Sequence, residues 1–210
     1  MAAPGSTNAL RSATFDNLQL NAGIFIKDLN YSSVTDSTAL KTAITNIVTG
    51  GSSPIGELIG ATRGGGTFTV TRDIRTPEID GMRYRFKKGD FIDSVDAYIS
   101  TTLVEITAEN VCALLGVDVP TASGRKTTIK LPTALTEDSY LTNICWVGDL
   151  SDGRLVLICL NNAFNSADFN MTFSDKSEGT LAVEFHATQS SVNDYDYAPF
   201  EVVFFDLPST

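Results

Sequence analysis

From Thr67 to Ile74 the side chains alternate, with Phe68, Val70 and Ile74 on one face and Thr67, Thr69, Thr71 and Asp73 on the other. A period of two marks a half-buried strand, because successive side chains leave a pleated backbone on opposite sides. A second alternation runs from Phe91 to Thr102. It places Phe91, Val95, Ala97 and Ile99 on one face and Ser94, Asp96, Tyr98, Ser100 and Thr102 on the other. About 15 residues separate the two stretches, whereas a hairpin loop usually takes roughly 2 to 5. The pattern therefore predicts two long strands joined by an oversized connection, and long ordered loops tend to carry function. The connection holds Arg75, Glu78, Ile79, Asp80, Arg83, Tyr84, Arg85, Lys87 and Lys88.

The remaining pattern is mostly β. A short strand is expected over 22–26 and a helix from Ser37 to Val48, with Leu40, Ile44, Ile47 and Val48 on one face, Asp36 as cap and Gly50 as stop. The glycine-rich stretch 50–66 reads as a flexible connector, with Gly64, Gly65 and Gly66 permitting a bulge at the strand entrance. A second helix is expected from Ala108 to Leu115, capped by Thr107, stopped by Gly116, with Val111, Leu114 and Leu115 inward. Leu141 to Leu150 and Leu155 to Leu160 flank Ser151-Asp152-Gly153, a hairpin signal. Phe169, Met171 and Phe173 alternate before the turn 175–179, Leu181 to Ala187 alternate after it, and Phe200 to Leu207 closes the chain. Several short strands, two brief helices and no β-α-β rhythm point to a mainly β fold of the sandwich or barrel kind. The small, polar residues 1–20 read as a flexible arm, ordered only on contact with neighbours, ahead of one domain over 21–210.

Charge sharpens the picture. Net charge is -10 over 210 residues, which argues against a general nucleic-acid binder. Up to Leu131 there are 13 acidic and 13 basic residues, and from Pro132 onward 12 acidic and 2 basic. Residues 63–88 alone carry 7 basic and 3 acidic side chains. A basic element and an acidic region on one subunit can attract a second copy head to tail; the competing reading is a solvated surface of each sign. No stretch approaches the roughly 20 apolar residues of a membrane span, and no hydrophobic leader opens the chain, so synthesis and folding in the cytoplasm are expected.

Candidate chemistry is sparse. His186, the only histidine, lies on the polar face of a strand with Glu184, without the G-x-S-x-G elbow of a hydrolase. Cys112, Cys145 and Cys159 form no C-x-x-C pair and read as buried thiols. SGRKTT ends like a phosphate loop but lacks the earlier glycine, Asp149 and Asp152 miss calcium-loop spacing, and Asp194 and Asp196 read as solvated. No catalytic residue, metal site or cofactor is expected.

The stretch from Gly60 to Thr107 resembles the major tail tube proteins of long-tailed, siphovirus-like bacteriophages. It shows a GATRGG-like lead-in, a strand, an EIDG-like turn and a strand ending in LVEIT, in that order. WVGDLSDGRLVLICLNNAF, SEGTLAVEFHAT and APFEVVFFD are similar to that family too, so the resemblance spans roughly Asn21 to Leu207. The longer threonine-rich segment around 36–51 departs from the family pattern. The resemblance implies a virion protein that forms hexameric rings stacked into a tail tube, through which viral DNA passes. Its partners would be copies of itself and other tail proteins (tape measure, terminator and tail tip), with no membrane. The basic connection would then be the contact between rings. The bore would be lined by Thr69, Thr71, Asp73, Asp96, Ser100, Glu184 and His186. The rival expectation is a monomeric β-sandwich binding module of the adhesin or carbohydrate-binding type.

Overall fold

Alternation and turn chemistry produce nine strands and two helices in the computed structural model, which describes residues 12–173, 175–190 and 196–208. The strands are β1 (Ile24–Lys27), β2 (Glu57–Leu58), β3 (Thr62–Arg75), β4 (Phe91–Leu103), β5 (Leu141–Asp149), β6 (Leu155–Asn165), β7 (Asn170–Thr172), β8 (Thr180–His186) and β9 (Phe200–Phe205). All pairings are antiparallel, in the order β2-β1-β5-β6-β8-β4-β3, with β7 beside β8 and β9 beside β6. The fold is mainly β, as expected.

Strand β6 belongs to two neighbourhoods. Its first part, Leu155 to Leu160, pairs with β9, and its end, Phe164 and Asn165, pairs with β8. The sheet divides there, and one apolar cluster joins the two parts: Phe25, Ile144 and Leu160 from β1, β5 and β6 with Ile99, Val183 and Phe185 from β4 and β8. Phe68 of β3 meets Phe200 of β9 edge to face, with ring centroids 5.5 Å apart. A second cluster lies on the other side of β1, β5 and β6, where Ile26, Leu157 and Cys159 surround Leu40 of helix α1 (Ser37–Thr49).

Helix α1 starts and stops where its chemistry dictates. The Asp36 carboxylate accepts from the Thr38 and Ala39 amides at 2.9 Å each, and Gly50 ends the helix at φ 66. Thr42, Thr45 and Thr49 turn their hydroxyls back to carbonyls four residues earlier, which satisfies them inside a helix that threonine otherwise disfavours. Ile44 and Ile47 pack on the core, but Val48, assigned to the same face, is exposed. In helix α2 (Ala108–Leu115), capped by Thr107, the buried residues are Asn110, Cys112 and Leu114 rather than Val111 and Leu115.

Two other expectations need correction. The stretch 50–66 is more than a connector: β2 lies inside it, and β3 begins at Thr62 rather than Thr67. The glycine bulge holds, since the pairing skips from Thr62 to Gly66 while Gly64 and Gly65 take φ 79 and 75. Of the arm expected over 1–20, residues 1–11 lie outside the described residues. The rest docks on the β5–β6 turn: the Leu20 amide donates to the Asp149 carbonyl at 3.1 Å, and the Ser151 amide to that of Leu18 at 2.9 Å.

Cys145 and Cys159 stand directly opposite each other across the β5–β6 hairpin, fully buried and not joined by a disulfide. The contact with Cys159 and then burial push the Cys145 thiol far above its ordinary value, so neutral pH provides no thiolate to react. Mass spectrometry of untreated protein should find both as free thiols. A quantitative Cys145–Cys159 bridge would contradict this.

Candidate functional site

The β3–β4 hairpin changes character along its length. Near its base, Ala97, Ile99 and Leu103 are buried. Farther out, every residue from 70 to 75 and from 91 to 96 is exposed. Six residues at the rise of a strand carry the hairpin about 20 Å past the body. Its outer part nevertheless keeps an apolar stripe of Val70, Ile74, Ile92 and Val95, interrupted by Arg72.

A bulge sets which residues form that stripe. Asp73 pairs with Ser94 and Ile74 with Ile92, so Asp93 is the extra residue. Without it, Asp93 would fall on the apolar face and Ile92 on the polar one; the bulge reverses both. It also moves Phe91 off the face assigned to it by simple alternation and opposite Arg75 instead. The Arg75 guanidinium sits 5.8 Å from the Phe91 ring centre and donates to Asp93 at 3.0 Å.

The connection beyond is closed by local bonds rather than left loose. The Thr76 hydroxyl donates to Asp90 at 2.5 Å, and Arg85 pairs with the same carboxylate at 2.8 Å. These two contacts, the hydroxyl first, hold the Asp90 carboxyl below the usual carboxylate range. Arg83, Lys87, Lys88, Glu78 and Asp80 have no ion-pair partner among the described residues. Ile79, Tyr84 and Phe86 are exposed beside them. The connection thus displays aromatic and aliphatic side chains among unpaired cations.

The opposite face of the sheet is polar across three strands. Register places Thr67, Ser100 and Glu184 in one row, Thr69, Tyr98 and His186 in the next, then Thr71 with Asp96, then Asp73 with Ser94. All seven residues expected to line a bore, Thr69, Thr71, Asp73, Asp96, Ser100, Glu184 and His186, therefore share one face. Each is exposed or half-buried. Sequence reading missed the part played by Tyr98, whose ring stacks on His186 with centroids 4.9 Å apart and planes 22° from parallel. Its even position, alternating with Asp96 and Ser100, was the available signal.

The other candidates carry less. Asp152 accepts from the backbone and side chain of Arg154, which accounts for its place in the hairpin turn. Asp194 lies outside the described residues, and Asp196 is exposed. Among the described residues no group of three or more His, Cys, Asp or Glu side chains could hold a metal ion. Among the described residues no helix is long and apolar enough to cross a membrane. A scan against protein-family models finds no match to this chain, and a search of curated proteins finds none.

Proposed function

We propose that the protein is a structural subunit that joins copies of itself into hexameric rings, stacked as the tail tube of a siphovirus-like bacteriophage. In this reading the subunit is a β-sandwich of the tail tube type, its layers being the two parts of the sheet that share β6. The connection from Arg75 to Lys88 meets the adjacent ring. The polar face of β3, β4 and β8 lines the bore, and viral DNA moves along it to the host. Tape measure, terminator and tail tip proteins are its other partners, and the virion tail is its location.

The observation that carries this reading is the hairpin that leaves the body with its apolar stripe uncovered. Fully burying a Val or Ile side chain gains about 1.5–3 kcal/mol, so four half-exposed ones leave a substantial gain unclaimed until another surface covers them. Edge strands β3 and β9 also present unpaired backbone to solvent, which ring closure would satisfy. A bore of hydroxyls and carboxylates offers phosphates few cationic partners, so the polyanion slides rather than sticks.

One feature favours the rival, a monomeric binding module: an open cleft of about 640 Å³ lined by Glu137, Tyr140, Asn162, Gln189 and Ser190. Electron microscopy of purified protein over a range of concentrations separates the two. Six-membered rings with a central hole, and stacks of them, are the expected images. A strictly monodisperse monomer at the highest concentration would reject the tube in favour of the module.

A further inference from the structure

His186 is the only histidine of the chain, and both its ring nitrogens meet carboxylates. Nδ1 lies 2.8 Å from Asp96 on β4, and Nε2 lies 3.1 Å from Glu184 on β8. A neutral imidazole has one N–H, so it can donate to only one of them and turns a lone pair toward the other. The imidazolium donates to both. The two-sided geometry therefore fits the charged ring, which Tyr98 covers on one face and which keeps 24% of its side-chain surface exposed.

We propose that His186 is a proton-operated clasp that sets the charge of the polar face and ties β4 to β8 through its side chains. With the proton bound, one ring bridges Asp96 and Glu184, and the cluster carries one net negative charge. When the proton leaves to solvent, the cluster carries two, and one carboxylate loses its donor. Among the described residues, the groups facing the ring are few. On β8 there is Glu184, and on β4 Asp96 and Tyr98; β6 contributes Phe164 opposite, and β3 contributes Thr69 and Thr71, with Asp73 the next charge along.

Burial of the ring opposes its charge, but the hydrogen bonds to Asp96 and Glu184 outweigh it and raise the histidine above its ordinary value near 6.5. The folded value thus exceeds the unfolded one. The clasp's stabilisation is fully present below about 6.5 and is lost as pH rises through the higher folded value. Under the tube reading, on which this consequence alone rests, every ring would change charge at six equivalent places, and the bore would repel phosphate more strongly as pH rises.

A single histidine makes the test unambiguous. Proton–carbon NMR titration of the full chain, below the concentration of assembly, should give a midpoint above 6.5. Asp96→Asn and Glu184→Gln should each lower it, and the double variant should lower it furthest, to below 6.5, since burial then acts unopposed. The apparent melting temperature of the parent, relative to His186→Gln, should fall between pH 6 and pH 8. A parent midpoint at or below 6.5, or one that neither substitution moves, overturns the clasp. If the titration behaves as expected while microscopy finds only monomers, the tube reading falls and the clasp stands. If tubes form but the midpoint ignores both substitutions, the clasp alone falls.

Discussion

Under the proposed tube assembly, deletion of Ile79 to Lys87 should leave a folded subunit that no longer polymerises. The segment contributes nothing to either apolar cluster. The bonds that close the hairpin beneath it, Arg75 to Asp93 and Thr76 to Asp90, stay in place. The one ion pair removed among the described residues, Arg85 with Asp90, is largely exposed and screened by water, so its loss changes stability little. Assembly is another matter. The cut removes Ile79, Tyr84 and Phe86 together with the cations Arg83, Arg85 and Lys87, and aromatic and arginine side chains are the usual anchors of a protein interface. Thermal unfolding within a few degrees of the parent, together with sedimentation as single subunits wherever the parent forms polymer, is the expected pair of results. Tubes of normal length from the deleted protein would show that ring contacts lie elsewhere.

The second large effect is expected in the body. Trp146, the only tryptophan, lies flat over two glycines: a Cβ on Gly148 would come within 2.3 Å of its ring, and one on Gly23 within 2.3 Å of its Nε1. Its Nε1 donates to the Ala22 carbonyl at 2.8 Å, so the indole pins the chain before β1 against β5. Gly148→Ala must push the ring out of this slot, at a cost of about 1–3 kcal/mol typical of overpacking. Gly148→Val should exceed the alanine variant. The single tryptophan reports directly: its emission should move to the red as the denaturation midpoint falls. An alanine variant with the parent's midpoint and emission would mean that the ring has another resting place.

Local chemistry made much of this fold legible. Alternation placed β4 at Phe91, the Asp36 cap and Gly50 stop bounded α1, and the Ser151 to Gly153 turn marked the β5–β6 hairpin. The seven bore candidates fell on one face because period two survives along each strand and the β3–β4–β8 register keeps the polar positions level. What escaped depends on distant partners. Strand β2 is two residues long and exists because β1 pairs with it, which no local pattern announces. The double role of β6 is decided by β8 and β9, both later in the chain. The bulge at Asp93 lay between the two cases: adjacent Phe91 and Ile92, followed by a charged residue, cannot alternate, and that misfit marked the place without showing which residue would be extruded.

The divided sheet has a mechanical consequence. Force applied to the hairpin passes along β4 and β8 by shear across six paired rungs, from Tyr98 and His186 to Leu103 and Leu181. From β8 to β6 the ladder narrows to two rungs, Phe164 with His186 and Asn165 with Phe185, before it widens again between β6 and β5. Backbone bonds are stiff, whereas apolar contact resists separation better than sliding. The narrow ladder is therefore the most compliant link in the sheet, and a filament built from such subunits would take up bending between the two parts of the sheet while the hairpin and the body each keep their shape.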